Sequence, residues 1–277
     1  MRGVLAILSE MLDALIFGLF GLIVGSFLNV VIVRRGGKSL GGRSACMSCG
    51  VQIRWYDNIP LLSWLVLRGR CRSCGSRISV QYPLVETGTA CLFALSGAAP
   101  IELLPRIGAL PILALLLMIT VYDLRHTIIP DEWVYLLAAL ALVYQFTFPA
   151  PVGFGTALLL LAGPAAALPL FLLWLFSKGA WMGLGDPKLA LGVGWLLGPL
   201  WGVWAVFFSF IVGAFVSVFI LLPLPHIMRF ASETGIARLN RQSARFTMKS
   251  EVPFGPFLVG SCIFVWFSLL YHIPLPL

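Results

Sequence analysis

Asp123, in VYDLRHTIIPDEW, and Asp186, in GLGDPKLA, stand at the ends of apolar segments. An ionisable side chain in lipid is costly and is by default a functional-site candidate. Two carboxylates held together in a partly dehydrated site cannot both ionise easily, so they share a proton and titrate as a coupled pair. The ionised member can accept a proton from water while the protonated one hydrogen-bonds a carbonyl oxygen. That is the chemistry of an aspartyl protease, which hydrolyses a peptide without a covalent intermediate or a metal.

The neighbours of the two acids sharpen the expectation. Gly183 and Gly185 let the backbone bend and approach a peptide before Asp186, and Pro187 suits the first turn of a following helix. Taken alone, Asp186 also reads as a helix N-cap. Asp131 is a rival for the pair, but its place in Ile129-Pro130-Asp131-Glu132-Trp133 reads as a turn and helix start and gives it a supporting role. Lys188 is expected to face the cytoplasm or lipid phosphates, with tuning of the Asp186 charge as a secondary reading. Arg125 and His126 fall in a short loop, and a dyad that supplies its own base leaves the histidine as a solvated residue.

A second constellation uses sulfur. Cys46-Met-Ser-Cys49 and Cys71-Arg-Ser-Cys74 are each followed by a glycine, Gly50 and Gly75. Two such turns each present two thiolates, and together they complete a tetrahedral S4 shell for Zn2+. Two disulfides or unrelated thiols are the plainer alternative, which a reducing cytoplasmic side disfavours. Four protein sulfurs leave no open coordination position, so the metal is expected to be structural, a staple for a module of about 50 residues. Cys91 and Cys262 lie in apolar segments and read as ordinary buried thiols.

The elements that must position these groups follow from composition. With 60% apolar residues and 11% charged, the chain is read as an all-α polytopic membrane protein. Segments of about 20 apolar residues span a bilayer as helices. About eight are predicted, near 11–33, 84–100, 104–123, 132–148, 154–176, 187–201, 202–224 and 254–272. The first is too long for a signal-peptide core, lacks a small-x-small cleavage site and ends in Val33-Arg34-Arg35. With the N-terminus outside, 17 of the 19 Lys and Arg fall on the cytoplasmic side, all but Arg2 and Arg106, which satisfies the positive-inside rule. This topology places both aspartates and the cysteine module, residues 34–83, at the cytoplasmic face. The net charge of +8 then reflects topology and attraction to anionic lipid; no basic surface interleaved with aromatics points to nucleic acid. Pro164, Pro169 and Gly163 predict a broken or kinked fifth helix, which could flank a substrate path. The segment 225–253, with Arg229, Arg238, Arg241, Arg245 and Lys249, reads as a flexible basic connector, with an amphipathic element on lipid as the alternative.

GSFLNVVIVR (25–34), the cysteine module with IRWYDNIPLLSWLVLRGRC (53–71), ISVQYPLVE (78–86), YDLRHTIIPD (122–131), GLGDPKLALG (183–192) and VPFGPFLVG (252–260) resemble the bacterial type IV prepilin peptidases over nearly the whole chain. The resemblance implies a bifunctional enzyme of the bacterial inner membrane. It would remove the basic leader from type IV prepilins or type II secretion pseudopilins, then N-methylate the new amino terminus with S-adenosylmethionine. It implies catalytic roles for Asp123 and Asp186, and the intact cysteine module groups the chain with members that also methylate. The expected organisation is a first span (1–33), the zinc module as methyltransferase part (34–83) and a membrane peptidase domain (84–277).

The residues themselves are silent on methyl transfer: no GxGxxG opens a βαβ unit, and the loop is too short for a Rossmann domain. Glu86 is a weak candidate for binding the methyl donor or a basic substrate, against the plainer reading of an acid at the membrane edge. Trp55, Tyr56 and Trp64 are expected to pack the module or anchor it at the headgroups, and Asn29 to hydrogen-bond between helices. The rival functions are a peptidase that does not methylate, a proton-coupled transporter and a non-catalytic zinc scaffold. A transporter would place its acids near the midplane, whereas these lie at span ends.

Overall fold

The computed structural model describes residues 2–35, 41–148, 155–221 and 253–275. Among these, all regular elements are helical, apart from two isolated bridges in the cysteine module. The helices are α1 (Arg2–Arg34), α2 (Leu62–Val66), α3 (Gln81–Gly97), α4 (Leu103–His126), α5 (Asp131–Thr147), α6 (Thr156–Ser177), α7 (Gly185–Phe215) and α8 (Gly255–Leu270). Four stretches, Leu8–Arg34, Leu103–His126, Thr156–Ser177 and Gly185–Phe219, are long and apolar enough to cross a membrane. The chain is therefore an all-helical polytopic membrane protein. The basic residues Arg229, Arg238, Arg241, Arg245 and Lys249 lie outside the described residues.

Two compact units divide the chain. The first comprises 1–122, 139–150 and 267–277; the second comprises 123–138 and 151–266.

In the first unit α1 and α3 form an antiparallel pair along a seam of small residues. A Cβ at Gly21 would lie 2.7 Å from Ala90 Cα, and one at Gly25 would lie 2.7 Å from Glu86 Cα. Glycines spaced four apart let helix backbones approach where lipid gives no hydrophobic drive. Asn29 extends the seam, its Nδ2 donating to the Tyr82 carbonyl at 3.1 Å while Gln81 Nε2 donates to Asn29 Oδ1 at 3.2 Å. At the opposite end Arg106 reaches Asp13 Oδ2 at 2.9 Å and the Gly97 carbonyl at 2.9 Å. Arg106 thus belongs to α4 and joins α1 to the end of α3. Cys91 is exposed, against the expectation of a buried thiol, whereas Cys262, in the second unit, is buried.

In the second unit α6 runs as one helix through Pro164 and Pro169, so of the two expectations, a break or a kink, the break does not occur. A proline leaves the carbonyl four residues earlier without its amide donor. For Pro164 that carbonyl is Leu160, and it accepts the Trp195 indole N–H at 2.9 Å. Gly163 makes room for the ring, because a Cβ there would lie 2.6 Å from Trp195 Cε2.

Helix α7 is not one straight rod. Gly198 takes φ 83° and ψ 178°, a region open essentially to glycine alone, and Pro199 follows. A Cβ at Gly202 would lie 2.7 Å from Gly194 Cα, although residues eight apart in a straight helix are separated by about 12 Å. The chain therefore folds back at Gly198, dividing the predicted sixth and seventh segments a few residues earlier than the boundary set at 201–202. Leu137 and Ala138 of α5 pack against Gly192 on the first leg.

Candidate active site and metal centre

Asp123 occupies the last turn of α4 and Asp186 the first turn of α7. Both are buried, at 4% and 8% exposure, as is Glu86 at 6% in the first unit. Among the described residues, Asp123 Oδ2 and Asp186 Oδ1 have no hydrogen-bond partner. An unpaired buried carboxylate oxygen costs stability, and such orphans gather where a ligand or a shared proton completes them. Ile129 links their surroundings, packing against the start of α7 at Gly185 and against Gly255, which lies on the Asp123 carboxylate. Asp186 makes no side-chain cap: the cap position of α7 is Leu184, which has no side-chain cap bond either.

Ile129 and Gly255 build the space between the helices. A Cβ on Gly255 would lie 2.5 Å from Asp123 Oδ2 and 3.3 Å from Ile129 Cδ1, and the Gly255 amide is turned toward the Asp123 carboxylate. A Cβ on Gly185 would lie 2.9 Å from Ile129 Cβ. Ile129 thus wedges between the start of α7 and the start of α8, beside Asp123. The sequence reading missed both residues as parts of the site, although each stands in a quoted motif, TIIPD and VPFG. Neither Gly183 nor Gly185 has a positive φ; Gly185 is needed for close packing on Ile129, while Gly183 is exposed.

Asp131 is 56% exposed at its side chain, and both its oxygens accept from Lys188 Nζ at 2.8 Å. Lys188 lies 5.7 Å from the centre of the Tyr135 ring. The lysine therefore ties the first turn of α5 to the first turn of α7, two residues after Asp186, where a cytoplasmic or lipid contact had been expected. Because half-exposed pairs contribute about 0–1 kcal/mol, Asp131→Asn is expected to keep most of any peptidase activity and to lower stability by no more than about 1 kcal/mol. Turnover of a prepilin together with thermal melting in detergent checks this, and loss of cleavage at unchanged stability would return Asp131 to the chemistry.

In the first unit the four cysteines form a second centre. Their sulfurs all lie within 4.8 Å of one another, with Cys46 Sγ and Cys74 Sγ 3.9 Å apart. A tetrahedral S4 shell with Zn–S bonds of about 2.3 Å needs sulfurs about 3.8 Å apart. The residues fit a closed Zn2+ site.

The two turns repeat one hydrogen-bond scheme: Cys46 N–H to Val51 O and Gly50 N–H to Cys46 O in the first, Cys71 N–H to Ser76 O and Gly75 N–H to Cys71 O in the second. Gly50 and Gly75 close the turns at φ 73° and 70°, which explains the glycine after each pair. The backbone amides of Cys49 and Ser48 and the Ser76 hydroxyl pull the Cys46 thiol down to about 6, favouring the thiolate that binds metal. Arg72, between the second pair of cysteines, grips Asp57 Oδ1 at 2.6 Å and Oδ2 at 2.8 Å and holds that carboxyl below its usual range. Glu86 is buried, and its Oε2 accepts the Leu61 N–H at 2.7 Å.

Residues 19–99 match the model of the bacterial peptidase A24 N-terminal domain, and residues 110–218 match that of the type IV leader peptidase family. A prepilin leader peptidase/N-methyltransferase of Vibrio cholerae is 31% identical over 94% of this chain and 98% of its own length. The chain belongs to the type IV leader peptidase family. Another family member with that name, from Aeromonas hydrophila, is 33% identical over 91% of this chain and 89% of its own. A third, from Myxococcus xanthus, is 38% identical over 76% of this chain, which spans 64% of that relative. No solved structure matches this leader peptidase chain. The N-terminal match contains the four cysteines and Glu86, and the peptidase match contains Asp123, Ile129, Asp131, Asp186 and Lys188.

Proposed function

We propose that the chain is a membrane aspartyl endopeptidase that removes the basic leader from type IV prepilins or type II secretion pseudopilins, and then N-methylates the exposed amino terminus. The observation that carries the peptidase reading is the convergence of two buried carboxylates, each with an unpartnered oxygen, on the cradle of Ile129, Gly185 and Gly255. In this mechanism one of Asp123 and Asp186 is protonated and donates to the scissile carbonyl, while the ionised partner takes a proton from the attacking water. The carbon–oxygen bond forms, the carbon–nitrogen bond breaks, and the leaving nitrogen receives a proton from the pair.

A prepilin is itself an apolar helix with a basic leader, so it approaches through the bilayer with its leader at the cytoplasmic face. The proposed topology has eight crossings, the two legs of α7 counting as two, with the N-terminus outside. It places the module and both aspartates on the cytoplasmic side of the bacterial inner membrane. The organisation proposed is a first span, a module over 34–83 that serves methylation, and a peptidase domain over 84–277.

Cys46, Cys49, Cys71 and Cys74 would hold Zn2+, which supplies a fold staple and no reactive position. S-adenosylmethionine is the methyl donor, as a substrate. Glu86, the sequence candidate for that step, is engaged with Leu61, and no residue is assigned to the donor.

Intact mass of a co-expressed prepilin tests the proposal, since it separates no reaction, cleavage, and cleavage plus one methyl group. The double Cys46→Ser, Cys49→Ser variant should lose about one zinc per chain by metal analysis. It should still clip the prepilin while leaving the new N-terminus unmethylated. Normal methylation by this variant removes the module from methyl transfer, and wild-type protein that never methylates with S-adenosylmethionine present leaves a peptidase alone.

A further inference from the structure

Helix α2 is inside out for a water-exposed module. Its buried residue is the polar Ser63, whose hydroxyl donates to the Tyr56 carbonyl at 2.9 Å, while Leu62, Leu65 and Val66 are 54%, 56% and 67% exposed. Trp55 of the preceding turn is 81% exposed. Soluble monomers rarely leave a contiguous apolar surface of this kind uncovered.

The level of α2 relative to the membrane helices can be read from the α1–α3 seam. Leu61, at the cap of α2, donates its N–H to Glu86, and the backbone of Glu86 lies against Gly25 of α1. Gly25 is nine residues before Arg34, the end of a stretch long and apolar enough to cross a membrane. At 1.5 Å per residue, the Glu86 backbone lies roughly 13 Å along α1 from its basic end, and the Leu61 amide is one carboxylate side chain away from it. At this level the neighbouring helices also present apolar side chains outward: Phe27 is 57% exposed, Ile23 64% and Leu84 66%.

The chain bears backbone strain to keep this placement. Leu61 has φ 60° and ψ −51°, and Arg68, just past the helix, has φ 52°. Positive-φ conformations at bulky residues persist only when their surroundings fix them. Here the Glu86 bond fixes the start of α2 and the packing of Gly69 beneath the Trp64 ring, where a Cβ would lie 3.0 Å from Cζ2, fixes its end. Beyond α2, Arg68 and Arg70 are exposed and supply positive charge next to the apolar face.

We propose that α2, with Leu62, Leu65 and Val66, is seated in the lipid at the cytoplasmic boundary, held at that depth by the Glu86–Leu61 bond, with Arg68 and Arg70 toward anionic headgroups. An apolar helix face flanked by arginine is the pattern of elements that lie in the interface plane, and basic residues there favour anionic lipid. The cysteine module then docks on the bilayer through its own surface as well as through its two chain connections. This inference rests on the membrane reading of the chain and not on either enzymatic activity.

The test uses the full chain carrying a dansyl amino acid at position 65, reconstituted with zinc in phosphatidylglycerol/phosphatidylethanolamine vesicles. Fluorescence should be lost on including lipids brominated along the acyl chain and be insensitive to aqueous iodide, as for a probe at Ile23. In the Glu86→Ala variant the probe at position 65 should become quenchable by iodide, whereas Glu86→Gln, which keeps an acceptor oxygen, should retain the wild-type pattern. Iodide quenching in the wild-type background overturns the proposal, because the face is then in water. Protection from both quenchers also overturns it, because protein covers the face. So does iodide quenching that disappears only when a prepilin is added, which makes the face a substrate surface.

Discussion

Replacing Asp123 or Asp186 by Asn is expected to abolish leader removal while the protein still inserts and accumulates. Each substitution keeps the side-chain shape and removes a carboxylate from the pair, so the remaining group can no longer share a proton with a partner. The expected loss is roughly 10³-fold or more in turnover. Either change also places an amide N–H beside an acid whose oxygen is buried and unpartnered, which favours a static hydrogen bond over proton exchange. Neither variant should yield methylated pilin, because methylation needs the amine that cleavage exposes. The intact mass of a co-expressed prepilin, with membrane abundance as the folding control, reads all three outcomes. Normal cleavage by either variant would sink the assignment.

Gly255→Ala is expected to lower cleavage by on the order of 100-fold, the effect of displacing a reacting group by about 1 Å. The added methyl would lie 2.5 Å from Asp123 Oδ2 and 3.3 Å from Ile129 Cδ1, so the carboxylate or the wedge must move. Gly255 does not have a positive φ, so alanine can take its backbone conformation and the effect is one of contact. Gly260→Ala on the same helix is the control, because a Cβ there meets nothing within 4 Å. Purified variants assayed on a prepilin in detergent should separate the two. Equal activity would mean that the approach of α8 to Asp123 does not set the position of the carboxylate.

Residue type and spacing are local, and what depends on them was legible in the sequence. Two CxxC-Gly turns announced a four-sulfur cluster because each turn is closed by its own backbone, with the glycine supplying the left-handed position. Long apolar runs announced membrane helices because a bilayer demands continuous internal hydrogen bonding whatever the neighbours are. The acids Asp123 and Asp186 stood out because charge is rare in such runs. The motif order carried the family.

Contacts between distant segments were decided only by the tertiary structure. Pro164 looked like a break or a kink because the sequence does not show Trp195 arriving to bond the Leu160 carbonyl. Asp131 and Lys188 are 57 residues apart, and nothing local pairs them. Gly255 and Ile129 entered the site because α8 and the α4–α5 turn meet at Asp123, and Glu86 became a latch because Leu61, at positive φ, points its amide at α3. A helix terminus or a glycine states which conformations a segment allows. Which side chain then fills the space beside it depends on packing, where a single methyl decides whether two backbones can meet.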